Sequence, residues 1–110
     1  IFYLNSLFYL PLIKYYMFMC ILFLPSLSLS SPRPTEDLYQ IGCAMCHDTG
    51  VAGSPMLGNK SQWINRTKKG YKTLVNNSWN GINGMPAKGY CQDCTKKEIG
   101  LVVQYMLDSI

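Results

Sequence analysis

Cys43-Ala44-Met45-Cys46-His47 decides the reading of this chain. Two thiols three positions apart stand one helical turn from each other, and an imidazole follows at once. That spacing sets two sulfurs along one edge of a porphyrin and brings His47 beneath the metal, which is the arrangement needed for thioether attachment of haem c. Cys43 and Cys46 are therefore expected to hold the haem covalently, with His47 as an iron ligand. Taken singly, the two cysteines would as readily form a disulfide or half of a zinc site, and a lone histidine is more often an ordinary surface residue. The rest of the sequence decides between these readings.

The chain has 110 residues, five cysteines and one histidine, enough for one small domain and too little for two independent cores. Lys14 is its only charged side chain before Arg33; nine basic and six acidic side chains follow. Residues 1–30 are nearly all apolar, with an unbroken block from Tyr15 to Leu24, then Pro25 and a tail of small residues to Ser31. This is the layout of an export signal, with cleavage expected near Ser30. Left uncleaved, residues 1–24 would nearly span a bilayer and serve as a membrane anchor. Residues 31–34, with prolines at alternate positions, form a short extended linker. The domain proper is expected over residues 35–110.

Within it, Thr35 is the expected cap of a first helix, with Leu38, Ile41 and Met45 on one face. The Gly- and Pro-rich run from Asp48 to Asn59 reads as loop. Helices are expected over 61–69 and 71–79, separated by Gly70, and Asn80-Gly81-Ile82-Asn83-Gly84 breaks the chain again. Thr95-Lys96-Lys97-Glu98 is a capping box, and Ile99, Val102, Val103 and Met106 make an apolar stripe behind it. No segment alternates as a strand does, so the fold class is all-α. Four short helices with large loops bury little apolar surface, and such a domain needs a cofactor, metal or staple at its centre.

His47 is the sole histidine, so a second imidazole from this chain is excluded as an iron ligand. Methionine is the remaining strong axial candidate. Met85 lies in the constrained loop Asn83-Gly84-Met85-Pro86, away from any helical stripe, and is preferred. Met56 is its rival, but it follows His47 by only nine residues, which makes the opposite haem face hard to reach. Met45 belongs to the attachment motif and Met106 to the stripe of the last helix.

Four separated motifs now stand in order: Cys43 to His47; Gly53-Ser54-Pro55-Met56-Leu57-Gly58-Asn59 with Trp63; Asn80 to Gly89 around Met85; and Cys91-x-x-Cys94. Over about residues 38–107 the chain resembles the cytochrome c5 group of class I c-type cytochromes. It departs from that group's usual pattern at Tyr90, where a small residue or glycine is usual. The resemblance implies a small helical fold wrapped around one covalently bound haem c, electron transfer as the activity, and His47 and Met85 as iron ligands. It also implies a Cys91–Cys94 disulfide and a Pro55 carbonyl that orients His47. Trp63 either contacts a haem propionate or fills core. An oxidising compartment independently favours the Cys91–Cys94 pairing.

The expected protein is a single-electron carrier, not an enzyme, working between exported or membrane-bound redox proteins in the periplasm or another exported location. A membrane association is expected only if the leader stays uncleaved. Two readings compete with it. Cys43, Cys46, Cys91 and Cys94 would suit a structural zinc site, though the separation of the pairs is too long for the common ribbon and His47 would be idle. A haem gas sensor or enzyme would need a labile sixth ligand. Lys60, Lys68, Lys69, Lys72, Lys88, Lys96 and Lys97 are expected to ring the haem edge and dock an acidic partner. A net charge of about +3 after the leader is too small to imply nucleic-acid binding.

Overall fold

The chain divides into two units, Ile1–Ser31 and Pro32–Ile110, and the computed structural model describes residues 13–19 and 31–110. Residues 13–19 are helical and exposed. The rest of the apolar leader and the expected cleavage zone near Ser30 lie outside the described residues. No helix among the described residues is long and apolar enough to cross a membrane.

The second unit is helical: α1 (Thr35–Gly42), α2 (Ala44–His47), a 3₁₀ turn (Val51–Gly53), α3 (Lys60–Thr67), α4 (Tyr71–Asn80) and α5 (Lys96–Asp108). Among the described residues there is no strand, only one antiparallel bridge between Ile82 and Met85. The last helix forms as its sequence dictates. Thr95 accepts the Glu98 N–H while the Glu98 carboxylate accepts the Thr95 N–H, a complete capping box. Behind it Ile99, Val102, Val103 and Met106 are all buried, each side chain contributing about 1.5–3 kcal/mol by leaving water. This stripe packs α5 against both α1 and α4.

The first helix departs from expectation in two ways. Pro34, not Thr35, occupies the cap position, and its carbonyl accepts the Leu38 N–H at 3.2 Å. The buried face is Leu38, Tyr39 and Gly42, whereas Ile41 and Met45 are 64% and 66% exposed. The reason is a break in the helix. Cys43 adopts φ −130°, so α1 and α2 do not share one periodicity and the stripe cannot run from Leu38 through to Met45. Tyr39 instead pairs with Tyr105 of α5, ring centroids 5.3 Å apart.

The break also allows a close backbone crossing. A Cβ on Gly42 would lie 2.7 Å from that of Cys91, and one on Gly89 would lie 2.5 Å from the Gly42 carbonyl oxygen. Gly89 has φ +60° besides, so side chains are excluded there by both space and conformation. The crossing fastens the segment after Met85 to the end of α1, and the Tyr90 N–H donates to the Gly42 carbonyl at 3.0 Å.

Arg33, expected in a linker, is part of the fold. Its guanidinium donates to both carboxylate oxygens of Glu98 at 2.9 and 3.0 Å and to Asp93 at 2.7 Å. Glu98 also accepts from the N–H and hydroxyl of Thr95. Arg33 first, then Thr95, holds the Glu98 carboxyl down at about 2 from an ordinary value of 4.5. A carboxyl depressed by folding stabilises the fold above its ordinary value, and that contribution is lost as pH falls towards the folded one. Glu98→Gln is thus expected to lower the melting temperature at pH 6, with the deficit shrinking between pH 4.5 and about 2. A deficit that is the same at pH 2 and pH 6 would show that charge is not its cause.

Candidate functional site

Cys43, Cys46 and His47 are brought together by a single turn of helix. The Cys43 carbonyl accepts from the N–H groups of Cys46 at 3.2 Å and His47 at 3.0 Å. Both thiols are free; Cys43 is buried and Cys46 half-buried. Burial, and secondly the neighbouring Cys46, pushes the Cys43 thiol up to about 11.

His47 is buried, and its Nδ1–H donates to the Pro55 carbonyl at 2.7 Å. A carbonyl can only accept, so Nδ1 carries the proton and Nε2 keeps its lone pair for a metal. The segment that supplies this acceptor is itself held at several points. The Leu57 N–H donates to the His47 carbonyl at 2.7 Å, the Met56 N–H to Gln62 Oε1 at 2.8 Å, and the Trp63 indole N–H to the Met56 carbonyl at 2.7 Å. Trp63 is buried and stacks on His47, with centroids 6.0 Å apart and planes 25° apart. Its one donor is therefore committed to backbone, and its ring braces the imidazole. On the other side of the motif, the buried Tyr39 hydroxyl donates to Asp48. Burial, and then Asp48, raises that phenol well above its ordinary value.

Met85 sits at the end of a two-residue hairpin turn. Ile82 and Met85 exchange N–H···O bonds of 3.1 and 2.9 Å, and Asn83 takes φ +52°, a conformation that Asn tolerates better than most residues. Gly81, at φ +82°, has no room for a Cβ, which would lie 2.9 Å from both the Met85 carbonyl oxygen and the Ala87 nitrogen. Downstream, the Lys88 N–H donates to the Ser78 carbonyl at 2.8 Å, and the Gln92 side chain donates to the Gly89 and Ala87 carbonyls at 2.9 and 3.3 Å. Lys88, expected among the docking lysines, is committed here instead. Its ammonium lies 4.2 Å from the centroid of the Trp79 ring and donates to the Gln92 carbonyl at 3.2 Å.

These elements surround a cavity of about 440 Å³. Cys43, Cys46, His47, Met85, Pro55 and Trp63 all line it. Met56 does not; its sulfur packs beside Gly50. The walls are completed by apolar side chains such as Leu74 and Val103, by Lys69, one of the lysines expected at the haem edge, and by Arg66 and Tyr90, which the sequence does not bring to the site. Arg66 stands one helical turn after Trp63, and that spacing was the available signal. Two free thiols, a pre-set imidazole and a thioether on the walls of one apolar cavity are a donor set that fits haem c.

The four-cysteine zinc site is not formed. Cys91 and Cys94 are joined in a disulfide, and among the described residues they cluster with Asp93, without Cys43 or Cys46.

The family model described as cytochrome C oxidase, cbb3-type, subunit III matches residues 30–106. The chain belongs to the class I c-type cytochromes. It is 41% identical over 73 residues to cytochrome c-555 of Chlorobaculum thiosulfatiphilum, covering 63% of this chain and 85% of that protein. Cytochrome c5 of Ectopseudomonas mendocina is 34% identical over 76 residues, covering 67% of this chain and 87% of its own. Among solved structures, the cytochrome c in an electron transfer complex of nitrite reductase with cytochrome c superposes with a TM-score of 0.65 at 31% identity, over 72% of this chain and 98% of that one. Haem c, covalently attached, is accordingly the cofactor of this cytochrome, and electron transfer, not enzymatic turnover, is its activity.

Proposed function

We propose that this cytochrome is an exported single-electron carrier whose haem is held by Cys43 and Cys46, with His47 and Met85 as its axial ligands. When bound, the haem supplies reversible one-electron chemistry at iron. The observation that carries the ligand assignment is the pairing of a tautomerically fixed His47 with Met85 on the walls of the cavity that both free thiols also line.

Each residue then has a distinct task. Pro55 fixes the ring of His47 and raises the basicity of Nε2 by accepting from Nδ1. Trp63 limits ring rotation by stacking. Met85 offers a soft thioether, which favours the ferrous state and raises the reduction potential relative to a second imidazole. The hairpin and the Lys88 and Gln92 contacts hold that thioether in place. With His47 and Met85 both given to the iron, a bound haem would have no protein-free position for a substrate. Its partners are redox proteins, as the nitrite reductase complex of its structural neighbour suggests. The apolar block Tyr15–Leu24 and the small residues after it support export.

The test is ligand binding by the reduced protein expressed with haem-maturation machinery. It is expected to bind carbon monoxide poorly at neutral pH. Tight binding would mean an open or labile sixth position and would replace the carrier with a sensor or enzyme.

A further inference from the structure

We infer that Asn83 is a self-modification site: its side-chain amide closes onto the Gly84 nitrogen as a succinimide, and water then opens that ring to leave an aspartyl or β-aspartyl link in the turn that carries Met85. The reaction needs only the turn; its effect on the iron rests on the reading of Met85 as a ligand. The turn type is what selects this residue. Asn83 and Gly84 are the two central residues between the paired Ile82 and Met85. Asn83 has φ +52°, whereas Gly84 is outside the left-handed region. Positive φ at the first central residue alone marks a type II′ turn, in which that residue has ψ of about −120°. There the Cβ and the following nitrogen eclipse each other across the Cα–C bond, so the side-chain carbonyl carbon of Asn83 needs only one new bond to Gly84 to complete a five-membered ring. Glycine is the usual occupant of this position, and it has no side chain to react.

Nothing on the page holds the reacting groups apart. Among the described residues the Gly84 N–H donates to no backbone carbonyl, so closing the ring breaks no backbone hydrogen bond. Both residues are exposed, and a Cβ on Gly84 would meet nothing within 4 Å. The same dipeptide occurs three residues earlier as Asn80-Gly81, in a setting that forbids the reaction. Asn80 ends α4, and helical ψ of about −42° turns the next nitrogen away from Cβ. Gly81 is also closely packed against the Met85 carbonyl oxygen. In the reaction the bond from Gly84 nitrogen to the Asn83 side-chain carbon forms as the bond to the side-chain NH₂ breaks, and that NH₂ leaves with the Gly84 hydrogen as ammonia. Water then cleaves either ring C–N bond, with no oxidant or reductant. Cleavage on the main-chain side leaves the backbone running through Cβ, one atom longer. A two-residue hairpin lengthened in this way loses the paired Ile82–Met85 bonds, and with them the anchor of the Met85 thioether. Asn83 and Gly84 also line the cavity, so the change falls beside the haem site.

The experiment incubates the haem-loaded protein at mildly alkaline pH, beside an unstructured peptide of residues 78–89. Peptide mass mapping reads the exchange of NH₂ for OH, protein isoaspartyl methyltransferase labels the β-aspartyl product, and the sulfur-to-iron charge-transfer band is followed in parallel. In the folded protein Asn83 is expected to convert at least about tenfold faster than Asn80 and faster than in the peptide, with the band fading as methyl acceptance rises. Gly84→Ala, for which the turn has both space and a permitted φ, should slow conversion roughly tenfold by crowding the nitrogen. Asn83→Gly should keep its band throughout. Equal rates at the two asparagines, or slower conversion of Asn83 in the folded protein than in the peptide, overturns the site. Conversion with a band that persists would defeat its hold on Met85, and a band that also survives Met85→Ala would place the fault in the ligand reading instead.

Discussion

Replacing Cys43 and Cys46 together by Ala is expected to abolish covalent haem: the protein loses its colour in acid-acetone and its intact mass falls by one haem. The argument begins with the other cysteines. Cys91 and Cys94 are spent on each other, so within Pro32–Ile110 only Cys43 and Cys46 remain as thiols, and both line the cavity with His47. No other pair there has both a free sulfur and the one-turn spacing. The fold should suffer as well. A cavity of about 440 Å³ lies among five short helices, and a domain of this size has little apolar surface with which to compensate for an unfilled centre. The double variant should therefore lose cooperative thermal unfolding along with its visible absorption. Cys91→Ser with Cys94→Ser is the contrasting case. Its closed loop is so short that chain entropy supplies only about 2 kcal/mol, so the haem spectrum should survive. Loss of all colour in that variant would place the cofactor on the wrong pair of cysteines.

What the sequence made legible was local. The Thr95 capping box and the stripe from Ile99 to Met106 need only neighbouring residues, and both are present as expected. The turns at Gly70 and Gly81 are likewise written in single residues with positive φ. The readings that failed depended on what lies across the fold. The Leu38–Ile41–Met45 face assumed that one helix continued through Cys43, whereas the backbone breaks there and rolls the buried face round to Tyr39. Lys88 is expected by sequence at the haem edge, and its contact with Trp79, nine residues away on α4, is not legible from its neighbours. Trp63 had two open readings until its N–H was found on the Met56 carbonyl and its ring against His47. Arg33 was assigned to a linker because Glu98 and Asp93, which hold it, are some sixty residues distant in sequence. Helical periodicity and turn chemistry are short-range signals, and side-chain partnership across the chain leaves no comparable imprint.

Met85→Ala is expected to remove the weak sulfur-to-iron charge-transfer band of the oxidised protein and to lower its reduction potential by on the order of 0.1 V, because the ferrous state loses its thioether. The reduced variant should also bind carbon monoxide readily. Two other methionines make the result discriminating. Met56 is outside the cavity lining, so Met56→Ala should keep the band. Met106 does reach the cavity, but it is only 3% exposed, in the packed face of α5. Met106→Ala should thus cost about 2–5 kcal/mol of stability as a core truncation while the band persists. Stability and spectroscopy separate the two roles: a ligand variant changes the band and potential, a core variant the melting temperature. His47→Ala should do more damage than any of these, since it removes the single imidazole of the chain and the acceptor-oriented ring that Pro55 and Trp63 hold. A band that survives Met85→Ala and disappears with Met56→Ala would move the sixth ligand to Met56. It would also require the Gly50–Leu57 segment to leave its bonds to His47 and Trp63, a rearrangement that the stacking of Trp63 on His47 opposes.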